Sequence, residues 1–207
     1  MRSRGAPVHA PGRSATIVAP TPASCPYVPS RRIHTGRVVS LDLEQVVLPN
    51  GEAVELEIVR HPGGAAIVAL DAGDRVCLLR QYRHATGGWI CELPAGKLEP
   101  GDGPLETARR ELAEEAGVAA AAWEPLGSMV SSPGVFTEVV HLFLARDLRD
   151  APAAREHGEL FEVSWVSLRE AVRLALCGEI SDAKTALGLL RAEAVLYPAG
   201  RFDIVEK

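Results

Sequence analysis

The order of apolar patterns along the chain is the feature that most constrains its fold. Alternating apolar and polar residues predict two strands, over 37–47 and 53–59, and Pro49-Asn50-Gly51 predicts a tight turn between them. Further strands are predicted over 65–70, 75–82, 89–93, 123–130, 135–145 and 160–166, and helices over 104–116, 167–176 and 181–196. Strands before one helix, followed by more strands and two closing helices, predict an α+β fold with helices packed on a mixed sheet.

The chain divides into three predicted parts. Residues 1–32 contain six prolines among serine, alanine and arginine, which predicts a disordered tail because no regular apolar period can form around them. The Arg-rich, acid-free composition of this tail also resembles a transit peptide, although the prolines would interrupt the amphipathic helix that such peptides form. Residues 33–62 are predicted as N-terminal strands, and residues 63–207 as the main domain.

Composition and charge exclude several classes of protein. No apolar run approaches the roughly 18 residues that a transmembrane helix needs, so no membrane partner is expected. The first 41 residues carry six arginines and no acidic residue, which leaves eleven excess negative charges on the rest of the chain. A folded part this acidic repels phosphate, so nucleic acid is not an expected partner. Four scattered cysteines without metal-ligand spacing predict reduced, buried thiols in a cytoplasmic protein.

The helix predicted over 104–116 carries a high concentration of carboxylates. Glu111 and Glu115 lie one turn apart, Glu114 lies slightly further round, and all three flank an apolar stripe. Like charges at this spacing cost about 0.2–0.5 kcal/mol per pair. A hard divalent cation such as Mg²⁺ would relieve the repulsion through oxygen ligands. The alternative is a solvent-exposed acidic face with no ligand, which is the more common use of such a charge run.

The segment before this helix strengthens the metal hypothesis. Leu93-Pro94-Ala95-Gly96 follows a predicted strand, and Gly101 and Gly103 mark a tight loop that leads into the helix. A strand–loop–helix connection of this kind can direct a backbone carbonyl, that of Ala95 for instance, toward the cation that the helix carboxylates would bind. A plain connecting loop is the alternative interpretation.

The same segment resembles the signature of the Nudix hydrolases, G-x5-E-x7-R-E-U-x-E-E-x-G-U, where U is a bulky aliphatic residue. Eight of the nine fixed positions match in register, and these are Gly96, Arg110, Glu111, Leu112, Glu114, Glu115, Gly117 and Val118. The first glutamate of the signature is Asp102 here, whose side chain is one methylene shorter. The resemblance covers about residues 35–200. It implies a Nudix-type α/β/α sandwich with a mixed sheet, preceded by an N-terminal antiparallel strand segment.

The flanking segments resemble the ADP-ribose pyrophosphatases within that family. The segments LRQYR at 79–83 and WICELPAG at 89–96 are similar to their (V/L)RQYR…WxxELPAG stretch, and Ser132-Pro133-Gly134 is similar to their SPG element. The segment 157–163 resembles their acidic loop, which precedes a strand ending in tryptophan, here Trp165. This resemblance implies Mg²⁺-dependent hydrolysis of the pyrophosphate bond of ADP-ribose to AMP and ribose 5-phosphate, with Mn²⁺ as an alternative metal.

The resemblance also implies a role for each matching residue. The metal ligands would be the Ala95 carbonyl, Glu111 and Glu115, with Glu114 assisting. The substrate-binding residues would be Arg80, Arg83, Glu92, Glu99, Pro133, Gly134 and Glu138. The catalytic carboxylates would be Glu115 and, as the base that activates the attacking water, Glu159 or Glu156. Members of this subfamily are commonly homodimers that exchange N-terminal strands, which implies a homodimer here.

Alternatives to these assignments stay open. Arg80 and Arg83 could be surface charges, and Glu156 or Glu159 could serve only the solubility of the loop. Trp89 is expected in the core rather than stacked on adenine. Two other functions are consistent with the sequence. One is a pyrophosphatase of another nucleoside diphosphate sugar, such as GDP-mannose, and the other is a non-catalytic Nudix module that binds ADP-ribose.

Overall fold

The computed structural model describes residues 30–153 and 160–198, so most of the predicted tail lies outside the described residues. The strands are β1 (Ser30–Thr35), β2 (Ser40–Val47), β3 (Ala53–Arg60), β4 (Gly64–Ala69), β5 (Arg75–Arg83), β6 (Gly88–Glu92), β7 (Ala95–Lys97), β8 (Val118–Val130), β9 (Val139–Asp150) and β10 (Phe161–Ser167). The helices are α1 (Pro104–Ala116), α2 (Leu168–Leu176) and α3 (Ala183–Leu196). None of these helices is long and apolar enough to cross a membrane.

The N-terminal strands form an antiparallel sheet of their own, in the order β1-β2-β3. It begins at Ser30, three residues before the predicted boundary, because β1 is an additional strand that the apolar pattern did not indicate. The predicted turn at Pro49-Asn50-Gly51 joins β2 to β3. Ion pairs contribute to this sheet, since buried Asp42 pairs with Arg32 and lies 3.5 Å from Arg60.

A four-stranded mixed sheet, in the order β7-β4-β9-β8, forms the middle layer of the main domain. Its central strand β4 pairs in parallel with β9 and antiparallel with β7. All six residues of β4 are buried, because alternate side chains meet different layers. Ala65 and Ile67 pack with α1, whereas Ala66 and Val68 pack with α2 and α3. A continuous apolar run is the pattern expected of a strand covered on both faces.

A second antiparallel sheet, in the order β10-β5-β6, shares the same two apolar clusters. Val76 and Leu78 of β5 pack in the cluster of α2 and α3. Cys77 and Leu79 pack in the cluster of α1. Helices therefore cover both sides of the strands, which is the α/β/α arrangement predicted for the main domain.

The largest differences from the predicted strand starts, of five and four residues, occur at β8 and β9. β8 begins at Val118, because the alanine run that follows pairs with β9 despite its weak strand propensity. β9 begins at Val139, later than predicted, because the residues just before it pair with β3 instead. There the backbone of Val59 donates to Val135 at 2.7 Å and accepts from Thr137 at 3.0 Å.

The prediction that Trp89 lies in the core is wrong, since its side chain is 38% exposed. Trp89 pairs with Tyr82 across β5 and β6, and their rings meet edge to face at 5.8 Å. Both side chains share a face with Val76 and Leu78 but lie further along the strands, past the part that α2 and α3 cover. The exposure of Trp89 is therefore decided by how far α2 and α3 extend, and not by the apolar pattern of the strands.

The prediction of buried thiols holds for one cysteine and fails for another. Cys77 is buried, and burial raises the pKa of its thiol to about 12, with the charge of Glu115 acting in the same direction. Cys91 is half-buried, whereas Cys177 is exposed just after α2. These three are free thiols, and the fourth cysteine, Cys25, lies outside the described residues.

Helix α1 begins and ends at the predicted residues, Pro104 and Ala116. Proline suits the first helical position, where its missing N–H would have no intrahelical partner, and Gly117 ends the helix at a φ of 67°. Leu112 lies fully buried against β4, and Glu115 on the same side of the helix is only 3% exposed. The helix therefore directs at least one carboxylate into the protein, unlike a solvated acidic face.

Candidate active site

A cleft of about 810 Å³ opens beside α1. Its walls come from distant parts of the chain, namely the β1–β2 turn, the segment after β3, β7 with the loop that follows it, α1 and the start of α3. The predicted site residues that line it are Arg83, Ala95, Glu99, Glu111 and Glu138. The structure thus places a candidate metal ligand and a candidate phosphate-binding arginine in the same space.

Two carboxylates of α1, one turn apart, meet β7. Glu115 accepts a hydrogen bond from the Ala95 N–H at 2.8 Å. Glu111 lies against Gly96, so that a Cβ added to Gly96 would fall 2.6 Å from Glu111 Cγ and would overlap the carboxylate itself. Only glycine leaves room for Glu111 in this position. The close approach of Glu111 therefore explains, in steric terms, why a glycine occupies the first position of the signature in this fold.

The Ala95 carbonyl lies on the same side of β7 as these carboxylates. The N–H and C=O of one strand residue point to the same side, and the side alternates along the strand. The Ala95 N–H points to Glu115. The Gly96 carbonyl points to β4, because a Cβ added to Gly64 of that strand would fall 2.8 Å from the Gly96 carbonyl oxygen. The alternation therefore directs the Ala95 carbonyl away from β4 and toward α1.

Arg110 links three carboxylates around the mouth of the cleft. Its guanidinium lies 2.8 Å from Glu111, 3.1 Å from Glu114 and 3.7 Å from Glu99. Burial lowers the pKa of Arg110, but the three carboxylates raise it by more, so the pKa lies above its ordinary value. Arg110 thus offsets the repulsion that the sequence predicts along this helix. Glu114 faces Arg110 and does not line the cleft.

The donor atoms beside β7 fit Mg²⁺. Glu111, Glu115 and the Ala95 carbonyl offer only oxygen, and Mg²⁺ is usually held by one or two carboxylates, with water and substrate phosphate in its other positions. Within residues 30–153 and 160–198, no three histidine, cysteine or acidic side chains gather as a complete metal centre. Glu111, Glu115 and the Ala95 carbonyl are thus the oxygen donors that a divalent cation would use beside β7.

A buried ion cluster forms another part of the cleft wall. Glu92, at the end of β6, is 1% exposed, and it accepts hydrogen bonds from Arg83 at 2.7 and 3.1 Å. Glu92 also pairs with Lys184 of α3, which lies 3.0 Å from Asp182. Glu92 is a predicted substrate contact, but the structure places it behind two cations that line the cleft. Lys184 is not among the predicted site residues. Its one signal in the sequence is a cation in the first turn of a helix, where the helix dipole disfavours positive charge.

The Glu92 cluster predicts an acid-sensitive stability. Burial raises the pKa of Glu92, but Arg83 and Lys184 lower it by more, so it lies below the ordinary value of 4.5. A carboxyl with a lowered folded-state pKa contributes stability above its unfolded pKa and loses it as pH falls through the folded value. We expect the free energy of unfolding, measured with urea, to fall below about pH 4.5. Glu92→Gln should flatten this dependence, and an unchanged slope in that variant would contradict the assignment.

Arg80, Pro133 and Gly134 do not line the cleft. Arg80 is three residues from Arg83 in β5, so the two side chains leave opposite faces of the strand. Arg80 pairs with Glu162 at 3.2 Å and lies over the Trp89 ring at 4.6 Å. Pro133 and Gly134 are exposed in the loop between β8 and β9.

Glu138 lines the cleft beside a neutral histidine. Its carboxylate lies 3.5 Å from His61 Nδ1, but that nitrogen accepts a hydrogen bond from the Gly63 N–H at 3.0 Å. Burial lowers the pKa of His61, although the charge of Glu138 acts in the other direction. His61 therefore carries its proton on Nε2, and Glu138 is not neutralised by it.

The remaining predicted residues lie in two loops. Glu99 lines the cleft in the loop between β7 and α1, where its backbone carbonyl accepts the Asp102 N–H at 3.0 Å. Asp102, which replaces the first glutamate of the signature, is exposed. The two candidate bases, Glu156 and Glu159, lie outside the described residues.

Comparison with known proteins identifies relatives over most of the chain. The NUDIX domain profile matches residues 60–186. An ADP-ribose pyrophosphatase of Bacillus subtilis (strain 168) is 40% identical over 164 residues, which are 78% of this chain and 89% of that protein. An ADP-ribose pyrophosphatase of Mycobacterium tuberculosis is 38% identical over 171 residues, or 81% and 83% of the two chains. A GDP-mannose pyrophosphatase of Cronobacter sakazakii is 36% identical over 149 residues, or 63% and 77%.

A solved structure has the same architecture. It is described as the crystal structure of an ADP compounds hydrolase, and it matches with a TM-score of 0.73 and 21% identity over 84% of this chain and 96% of that one. At this identity the likeness concerns the fold alone, and it confirms the predicted α/β/α sandwich. Since the domain profile spans more than half of the chain and the B. subtilis relative is 40% identical over most of its own length, this chain belongs to the Nudix family.

Proposed function

We propose that this protein hydrolyses the pyrophosphate bond of ADP-ribose in a Mg²⁺-dependent reaction that yields AMP and ribose 5-phosphate. The observation that carries the proposal is the cleft, where Glu111 and Ala95 share one space with the Arg83 guanidinium. A diphosphate needs oxygen ligands that hold a cation against it and charge-assisted donors that bind its oxygens. The two relatives named ADP-ribose pyrophosphatases support ADP-ribose as the substrate.

On this proposal, Glu111, Glu115 and the Ala95 carbonyl hold the metal. Bound Mg²⁺ would supply charge neutralisation at the phosphoryl oxygens and lower the pKa of water. The Ala95 N–H fixes the orientation of the Glu115 carboxylate through its 2.8 Å hydrogen bond. The absence of a side chain at Gly96 lets Glu111 approach β7.

The other proposed tasks concern the substrate and the attacking water. Arg83, held by buried Glu92, donates hydrogen bonds to the diphosphate. Water attacks one phosphorus atom, and the bond from that atom to the bridging oxygen breaks. A carboxylate accepts the proton of the water, and the resemblance to the ADP-ribose pyrophosphatases implies Glu159 or Glu156 for this step. Glu138 lines the same cleft, and on this proposal it contacts the substrate.

A substrate panel tests the proposal. We expect the purified full chain with Mg²⁺ to convert ADP-ribose to AMP, and to show its highest kcat/KM for ADP-ribose among nucleoside diphosphate sugars. Chelation of the metal should abolish turnover, and Mn²⁺ should restore it. Chromatographic analysis of the products measures each outcome.

The alternatives give different results in the same panel. A higher kcat/KM for GDP-mannose than for ADP-ribose would favour the second candidate, which the similar GDP-mannose pyrophosphatase supports. Tight binding of ADP-ribose without AMP formation would identify a non-catalytic module. The absence of AMP under all metal conditions would overturn the proposed activity.

Two further proposals concern assembly and location. We infer a homodimer, because the N-terminal sheet leaves apolar side chains exposed, at Ile33, Val47 and Leu56. Light scattering of the full chain that gave a monomer mass would contradict this inference.

The proposed location is the cytoplasm, where a reducing environment would maintain the free thiols found among the described residues. Detection of the protein outside the cytoplasm by cell fractionation would contradict it.

A further inference from the structure

We propose that Thr107 and Arg110 of α1 hold one buried water molecule between them, and that Thr107 is thereby a positioning residue for the proposed metal ligand Glu111. The starting observation is a pair of buried polar atoms, Thr107 Oγ1 and Arg110 Nε. Neither atom has a hydrogen-bond partner among the residues that the structure describes. The positioning role rests on the proposed function, because it concerns the metal site of that function, whereas the water site does not.

Thr107 places a hydroxyl group in the interior of the protein. The residue is 0% exposed. A threonine hydroxyl inside a helix often bonds to the carbonyl one turn earlier, which is that of Gly103 here. The Gly103 carbonyl accepts the Thr107 N–H at 3.1 Å, but it does not accept the hydroxyl. A buried hydroxyl without a partner destabilises a fold, so this one indicates a partner other than the described residues.

The Arg110 guanidinium has the complementary gap. Its terminal nitrogen Nη1 lies 2.8 Å from Glu111 and 3.1 Å from Glu114. Its other terminal nitrogen, Nη2, lies 3.7 Å from Glu99 and donates to the Lys97 carbonyl at 3.4 Å. Nε carries the fifth N–H of the group, and it has no acceptor in the described part of the chain.

The two atoms lie on the same side of α1. Thr107 and Arg110 are three residues apart, so their Cβ atoms are about 5–6 Å apart on neighbouring turns. Their side chains do not bond to each other directly. One water molecule can accept the Nε–H of Arg110 and share a hydrogen bond with the Thr107 hydroxyl. Buried waters typically make about three such bonds to polar groups that would otherwise be unsatisfied.

The charges around these atoms favour a neutral ligand. An anion would meet the carboxylates of Glu99, Glu111 and Glu114, which all surround the Arg110 guanidinium. A cation would be repelled by the guanidinium and could not accept its Nε–H. Water is neutral, and it both donates and accepts hydrogen bonds. We therefore assign this pair of atoms to a water molecule and not to a second ion.

The bound water would fix the plane of the Arg110 guanidinium. Nε lies in one plane with both terminal nitrogens, so a hydrogen bond at Nε restricts the direction of Nη1. Nη1 faces Glu111, whose carboxylate lies against Gly96. Thr107 therefore acts on Glu111 through the water and Arg110. Loss of an outer partner of a metal ligand typically costs about 10-fold to 100-fold in metal affinity or activity.

Crystallography tests the water site. In a high-resolution crystal structure of the full chain, we expect density for one water at about 2.7–3.2 Å from both Thr107 Oγ1 and Arg110 Nε. Thr107→Val keeps the branched shape of the side chain but removes the hydroxyl, and the water should be lost. The water site would be refuted by a direct hydrogen bond between the two side chains, by no density between them, or by a water that persists in Thr107→Val.

Binding of Mn²⁺ without substrate tests the positioning role. We expect Thr107→Val to weaken Mn²⁺ binding by about tenfold, measured by electron paramagnetic resonance. Thr107→Ser and Thr107→Ala are the matched pair, because both remove the methyl group and they differ only in the hydroxyl. Thr107→Ser should keep most of the affinity, and Thr107→Ala should lose as much as Thr107→Val. Thermal unfolding checks the fold of each variant, and Thr107→Ala takes the place of Thr107→Val if the latter does not fold.

The outcomes separate this proposal from the proposed function. Wild-type Mn²⁺ affinity in folded Thr107→Val or Thr107→Ala would refute the positioning role and leave the hydrolysis of ADP-ribose standing. Equal losses in Thr107→Ser and Thr107→Ala would also refute it, because the loss would then follow the methyl group. If Thr107→Val weakens Mn²⁺ binding but the wild type makes no AMP from ADP-ribose, only the proposed function is refuted. A wild type that binds no Mn²⁺ would refute the metal site and the positioning role together, and the density alone would decide the water site.

Discussion

Glu115→Gln is expected to lower kcat for ADP-ribose by about 100-fold or more while the protein stays folded, because it removes one ligand charge from the metal site. The amide oxygen of glutamine can still accept the hydrogen bond that Ala95 N–H gives to Glu115. The side chain is 3% exposed and nearly unchanged in shape, so packing around it should persist. Initial rates with Mg²⁺ measure the loss, and thermal unfolding measures the fold.

The control for this variant lies on the same helix. Glu106→Gln also removes one carboxylate from α1, but Glu106 is exposed in the first turn and does not line the cleft. We expect it to retain the wild-type rate. A Glu115→Gln protein with the wild-type rate would refute the metal assignment on α1, and an equal loss in Glu106→Gln would show that the effect depends on the total charge of the helix.

Gly96→Ala is expected to lower kcat by an amount comparable to the loss in Glu115→Gln, although it adds only a single methyl group. The added Cβ would overlap the Glu111 carboxylate and lie 2.6 Å from its Cγ, so the side chain of Glu111 must move from its place beside Ala95. The displaced carboxylate could no longer act with Glu115 on one cation. Overpacking of this kind costs about 1–3 kcal/mol of stability, which most folded proteins tolerate.

Gly88→Ala is the matched control for the glycine variant. A Cβ added at Gly88 meets no atom within 4 Å, and its backbone does not have a positive φ. We expect its kcat and melting temperature to match the wild type. Retention of full activity in Gly96→Ala would show that Glu111 does not need the position that the structure gives it, and an equal loss in Gly88→Ala would point to a general effect on the strands.

The part of the site that could be predicted from sequence depends on local geometry. Residues one helical turn apart lie on one side of a helix wherever the helix packs, so Glu111 and Glu115 could be placed together. The bounds of α1 followed from Pro104 and Gly117, which act on the backbone within their own turn. The packing of α1 against β7 then brings both carboxylates to Ala95 and Gly96.

The features of the site that could not be predicted depend on where each strand and helix ends and on which other elements pack over it. Arg80 and Arg83 belong to one motif, yet only Arg83 lines the cleft, because a three-residue separation reverses the direction of a strand side chain. Trp89 has an apolar side chain but lies beyond the cover of α2 and α3. Glu92 looked like a substrate contact, whereas the structure buries it beneath Arg83 and Lys184.

The amino-acid sequence by itself determined the class of fold, the acidic helix and the residue types for Mg²⁺ and diphosphate chemistry, because periodicity, helix caps and spacing act over a few residues. Only the tertiary structure decided that Lys184 meets Glu92, and that the backbone of Val59 bonds to the segment just before β9. Such contacts join residues far apart in the chain, and their formation depends on how whole elements pack. Packing over that distance leaves no periodic pattern in the local sequence.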